Sequence, residues 1–130
     1  MDTQAFKNEF RESVVTHLDK GRWTVLVDQK FGGFRPCLVL EDSGGEKLVV
    51  ALKINEHLHF ASLAFMDRVI EEYLPSNGHG VVVTSDPQTD SMRAIAAEVG
   101  VELVEVHGTP EFAAQTFLQF LDSTSSHGAR

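Results

Sequence analysis

Arg35-Pro36-Cys37-Leu38-Val39-Leu40-Glu41-Asp42-Ser43-Gly44-Gly45-Glu46-Lys47-Leu48-Val49-Val50-Ala51-Leu52-Lys53-Ile54 is the stretch that decides the fold. Two runs rich in Val and Leu, 35–41 and 47–54, flank Asp42-Ser43-Gly44-Gly45, whose residue types suit a tight reversal, so the pattern predicts a β-hairpin. Both arms are nearly apolar on both faces, as strands covered on two sides are, which puts the hairpin in the middle of a sheet. At its end Lys53 stands two residues from Ala51, on the same face of the strand.

Upstream, Phe6, Phe10, Val14 and Leu18 recur at steps of four, with Val15 beside them, and Gly21 follows. That stripe predicts an amphipathic helix over 3–19. Arg22–Lys30 alternates Trp23, Val25 and Val27 with Thr24, Leu26 and Asp28 and reads as a strand ended by Gly32-Gly33. Downstream, Leu58, Phe65, Val69 and Tyr73 fall at helical steps over 56–73 until Pro75-Ser76-Asn77-Gly78 breaks the run. Gly80–Thr84 and Val101–Val106 are short strands. Asp86-Pro87 and Thr109-Pro110 each read as an N-cap followed by a first-turn proline, opening helices that carry Met92, Ile95, Ala96 and Val99, and Ala113, Phe117, Phe120 and Leu121. The expected fold is α/β, a mixed central sheet of about five strands flanked by helices in the order αβββαβαβα, with the later strands parallel where helices cross over.

No repeat, low-complexity linker or charge run divides the 130 residues, so one domain is expected over 1–122, with a disordered Ser/Gly-rich tail at 123–130. One cysteine forms no internal disulfide, and there is neither a signal-peptide pattern nor an apolar run of membrane-spanning length. The expected compartment is the cytoplasm, away from any membrane. Nineteen acidic against 11 basic side chains leave a net charge of −8, which opposes the counterion release that drives non-specific nucleic-acid binding. No Lys/Arg cluster appears along the chain, and a basic patch would need Arg22, Lys30, Arg35 and Lys53 to converge.

The hairpin, set second and third among the strands of this series, resembles the core of the restriction-endonuclease-like superfamily and its PD-(D/E)XK signature over roughly residues 3–106. The resemblance implies an acid after the proline, a second acid two residues before a lysine, and that lysine. Those places hold Cys37, Ala51 and Lys53. A further acid on the first helix, used by resolvase-like members, would correspond to Glu9 or Glu12. Phosphodiester hydrolysis of this type needs hard oxygen ligands for Mg²⁺ and a cation near the attacking water. Only the cation is in place, so the resemblance implies the fold with a degenerate site. A Rossmann-like arrangement is disfavoured, because no helix separates the first three strands and no glycine-rich phosphate loop follows a strand.

Lys53 reads as a repurposed site lysine or as a strand-end lysine whose stem packs while its amine reaches water. Cys37, in an apolar run without a base, reads as a small buried hydrophobe. In a migrated-acid alternative Glu9, Glu12, Asp28 and Glu41, or Asp67 and Glu71 on the long helix, would rebuild a Mg²⁺ site around Lys53. His57-x-His59, His79 and His107 lack the companion ligands of a zinc site and read as loop histidines. Phe31 and Phe34, around Gly32-Gly33, would form an exposed aromatic tip or tuck back on the sheet.

The reading is a non-catalytic binding or assembly module with a protein partner and a homodimer as the default, without metal or other cofactor. The alternatives are a Mg²⁺-dependent nuclease with migrated acids and a structural homo-oligomer subunit. Nucleic acid is the disfavoured partner on charge.

Overall fold

The computed structural model describes residues 2–128, the last four of them by backbone alone. Its elements are α1 (Thr3–His17), β1 (Trp23–Val25), β2 (Leu38–Asp42), β3 (Lys47–Lys53), α2 (Phe60–Tyr73), β4 (Gly78–Thr84), α3 (Asp90–Val99), β5 (Val101–Glu105) and α4 (Pro110–Gly128). The five strands lie side by side in chain order. β1, β2 and β3 pair antiparallel, whereas β3, β4 and β5 pair parallel through the α2 and α3 crossovers. This is the mixed sheet and element order that the hairpin and its flanks predict.

Strand alternation splits the core into two halves. Leu48, Val50 and Leu52 of β3, with Ile54 just past its end, meet Phe10 and Val14 of α1 and Ala113, Phe117 and Leu121 of α4 on one face. Val49 and Ala51 face the opposite way, toward Leu63, Met66 and Val69 of α2 and Ala96 of α3. β3 is therefore apolar from Leu48 to Leu52 because helices cover both of its faces. The hairpin turn is held by Asp42, whose Oδ1 accepts from Gly44 N at 2.9 Å and Glu46 N at 3.0 Å, with Gly45 at φ +85°. At Gly80 the backbone of β4 passes so close to α2 that a Cβ would collide with Met66 Cγ.

Four boundaries differ from the expectations. β1 stops at Val25 rather than reaching Lys30, because Asp28 turns the chain at φ +55° and Phe31–Phe34 closes a small loop on itself. α2 begins at Phe60, four residues late, since Asn55 takes φ +58° and Leu58 N donates to the Asp86 carboxylate at 2.9 Å instead of joining a helix. That bond also keeps Asp86 from capping α3; Thr89 does so, its Oγ1 accepting from Met92 N at 3.1 Å. α4 starts at Pro110 with Thr109 as its cap, as expected, but continues as helix to Gly128 through most of the stretch expected to be disordered. Residues 129 and 130 of that stretch lie outside the described residues.

Candidate functional site: a cationic cleft at the head of the hairpin

β1 ends three residues in and β2 does not begin until Leu38, so the connecting segment 26–37 swings away from the sheet edge. Its departure opens a cleft of about 330 Å³ between that segment, α1 and the last residues of β3. Cys37 N donates to Val50 O at 2.9 Å, carrying the hairpin pairing one residue beyond β2. That register sets Cys37 opposite Ala51. Lys53 closes β3, paired with Thr84, and its carbonyl accepts from Ser85 N at 3.1 Å. All three places singled out by the resemblance therefore line the same cleft.

Five charged side chains line it: Lys7 and Arg11 from α1, Arg35 from the connecting segment, Lys53, and a single carboxylate, Asp28. Among the described residues none of the four cations has an ion pair within 4.0 Å. A chain that is acidic overall thus gathers unpaired positive charge in one hollow. Lys7 and Arg11 also touch the thiol chemistry: burial pushes Cys37 up to about 11, against the opposing pull of these two cations. At neutral pH the thiol is protonated, so it is a poor nucleophile and a poor soft-metal ligand.

The other sequence candidates lie elsewhere. The α1 residues at the cleft are Gln4, Lys7, Asn8 and Arg11, which leaves Glu9 and Glu12 on other sides of the helix. Glu12 is exposed, whereas one oxygen of Glu9 is buried without a hydrogen-bond partner. Glu41 sits at the turn end of the hairpin with its carboxylate 3.4 Å from Lys47 Nζ, at the opposite end of β3 from Lys53. Asp67 and Glu71 lie on α2 outside the cleft. Only Asp28 of the proposed replacement acids reaches it. His57 and His59 stack edge to face at 4.8 Å, and His57 Nδ1 lies 3.0 Å from Asp86 Oδ2. His79 pairs with Glu46 at 3.0 Å and His107 lies 3.8 Å from Glu105. Among the described residues no three His, Cys, Asp or Glu side chains come together as a cation site. Phe31 and Phe34 do not form an exposed tip: they rest on α2, Phe31 against Tyr73 at 5.9 Å and Phe34 edge-on to Phe65 at 5.3 Å.

Sequence reasoning missed Lys7 and Arg11. The signal was present: Gln4, Lys7, Asn8 and Arg11 fall at i, i+3, i+4 and i+7, a polar stripe beside the apolar one. Arg22 and Lys30, considered for a patch, do not line the cleft.

No protein-family model and no curated protein matches this chain. Solved structures do. A repair endonuclease from Pyrococcus abyssi is similar over 82% of this chain and 48% of that one, with TM-score 0.61 and 14% identity. An EndoMS–dsDNA2 complex is similar over 78% and 44%, with TM-score 0.58 and 17% identity. EndoMS in its apo form follows at 83% and 46%, with TM-score 0.50 and 16% identity. The chain spans about half the length of each of these proteins. The likeness is one of fold, which is restriction-endonuclease-like.

Proposed function

We propose that this chain is a non-catalytic restriction-endonuclease-like module that binds a phosphate-bearing partner, a nucleic-acid strand, in the cleft at the head of its hairpin. The observation that carries the reading is the composition of that cleft: four unpaired cations and one carboxylate where the fold's hydrolases place acids around a lysine. A divalent ion would meet Lys7, Arg11, Arg35 and Lys53 at close range and find one protein carboxylate, Asp28. Phosphate oxygens meet the reverse, a concave surface with several charged donors at hand. The net charge of −8 acts over the whole molecule, but screening limits its reach to about 8 Å at physiological salt, within which the local cations dominate. This shifts the favoured partner from a protein to nucleic acid, and the relatives of like fold, a repair endonuclease and an EndoMS–dsDNA2 complex, support that direction.

One observation favours a second reading, a Mg²⁺-dependent nuclease: Asp28 shares the cleft with Lys53. Mg²⁺ is often held by one or two carboxylates together with substrate phosphates. A single assay separates the two. Fluorescently labelled single- and double-stranded oligonucleotides are titrated at 50 and 200 mM salt and then incubated with Mg²⁺ or Mn²⁺. The binding-module reading expects salt-sensitive binding, weakened at least tenfold by Lys53→Ala with Arg35→Ala, and intact DNA throughout. Cleavage that needs metal and disappears in Asp28→Asn and Lys53→Ala would establish the nuclease instead. No binding at 50 mM salt, or binding indifferent to the substitutions, would sink both.

A further inference from the structure

Lys53, Ala51 and Phe34 wall two hollows rather than one. Beyond the cationic cleft, on the α2 face of the sheet, a second hollow of about 300 Å³ opens between α2 and the strands. Its chemistry is different. The floor is Ala51, Met66 and Val82, and the walls include Phe34 and Phe65. Ala51, Ala61 and Ser62 are small, which leaves the space open. Phe65 is 46% exposed, so its ring is not used up by the core, and it stands edge-on to Phe34 at 5.3 Å between centroids. The polar groups at this slot are the Lys53 amine and the Ser62 hydroxyl, neither with a side-chain hydrogen bond among the described residues.

A cationic hollow and an aromatic slot that share a lysine ask for one ligand carrying both a phosphate and a flat ring. The cleft alone would accept the backbone of a duplex as readily as any other phosphate. A duplex, however, keeps its bases stacked within the helix, and the slot next to Lys53 would then stay unused. Contact between a base and aromatic side chains is tolerant of base identity and available only when the base leaves the stack. We infer that the joined cleft and slot take a single unpaired nucleotide, its phosphate at Lys53 and Arg35 and its base laid against the exposed ring of Phe65. The inference rests on the phosphate-binding reading of the cleft and narrows it to nucleotides outside a double helix. The Ser62 hydroxyl supplies one adaptable hydrogen bond to the ring edge, which gives weak preference among bases.

The test uses the full chain and follows amide chemical shifts by ¹H–¹⁵N NMR with inorganic phosphate, deoxyribose 5-phosphate, thymidine 5′-monophosphate, an octamer of thymidylate and an eight-base-pair duplex. Thymidine monophosphate is expected to bind about tenfold or more tightly than deoxyribose 5-phosphate, shifting amides of Ala51, Ser62 and Phe65 as well as Lys53. Phe65→Ala should abolish that advantage while leaving the affinity for the sugar phosphate unchanged, and Lys53→Ala should weaken both. Phe65→Leu, which keeps an apolar side chain without the ring, serves if the alanine variant melts early. An octamer at least tenfold tighter than the mononucleotide identifies a single strand as the source, and equal affinities identify a free nucleotide. Equal binding of sugar phosphate and nucleotide, with Phe65 silent, overturns the base slot but leaves the phosphate cleft standing. The duplex matching the octamer overturns it in the same way, and failure of every probe overturns the slot and the cleft together.

Discussion

Cys37 shows how one residue reports on its surroundings. Its thiol is raised from about 9 to about 11 by burial, so the folded state holds the proton more tightly than the unfolded chain does. With the folded value above the unfolded one, the contribution to stability is complete below pH 9 and is lost as pH climbs through 11. Comparing wild type with Cys37→Ala isolates this from the titration of lysines. The wild type is expected to lose on the order of 2 kcal/mol more than the variant between pH 8.5 and 11, measured by urea denaturation. Alkylation of the native protein at pH 7.5 should be slow for the same reason. Lys53 makes the opposite point, since its neighbours leave it unpaired in a hollow whose charge it helps to set. A strand-end lysine serving only to cover apolar surface would be replaced by methionine without loss of phosphate binding; here Lys53→Met is expected to lose it.

At the scale of elements, bonds that are local in sequence were readable and bonds that are not were hidden. Asp42 and the glycines after it close the hairpin within a few residues, so their spacing announced it. Asp42→Ala removes the acceptor of two backbone amides and is expected to cost about 1–2 kcal/mol by denaturant titration. Thr109-Pro110 announced α4 in the same way. Asp86-Pro87 looked identical and misled, because the Asp86 carboxylate receives Leu58 N from 28 residues away and binds two loops together instead of capping a helix. The roles can be separated: Thr89→Ala should cost about 1 kcal/mol as a lost cap, while Asp86→Ala should cost about 1–3 kcal/mol and loosen the segment before α2 as seen by hydrogen exchange. Gly80→Ala, forced against Met66, is expected to cost about 1–3 kcal/mol. The fold was legible because each strand pairs with its predecessor. The cleft was not, since its cations come from three segments that meet only once α1 lies beside the sheet edge.

Over the whole molecule, charge acts with two signs. A net −8 makes the folded chain repel itself, so added salt should raise its melting temperature, while the cationic cleft should lose nucleic-acid affinity over the same range. Opposite responses in one protein, followed by thermal scans and by anisotropy, would show that the cleft is an island in an acidic surface. An affinity that does not fall as salt is added would mean that the cations are not gathered as described.

The pairing of the first helix with the last reaches into synthesis. Phe10 of α1 lies against Phe117 of α4 at 5.8 Å, and α4 completes the cover over one face of the sheet. The strands can zip up one after another as they leave the ribosome, yet that face has only α1 over it until residues past Pro110 emerge. A nascent chain therefore carries the face of Leu40, Val50 and Val83 half-covered through most of its elongation, a surface that chaperones recognise and other nascent chains can stick to. Translation halted at Thr109 should release a product that binds hydrophobic dye and aggregates despite possessing every strand, whereas adding α4 as a separate peptide during refolding should rescue part of it.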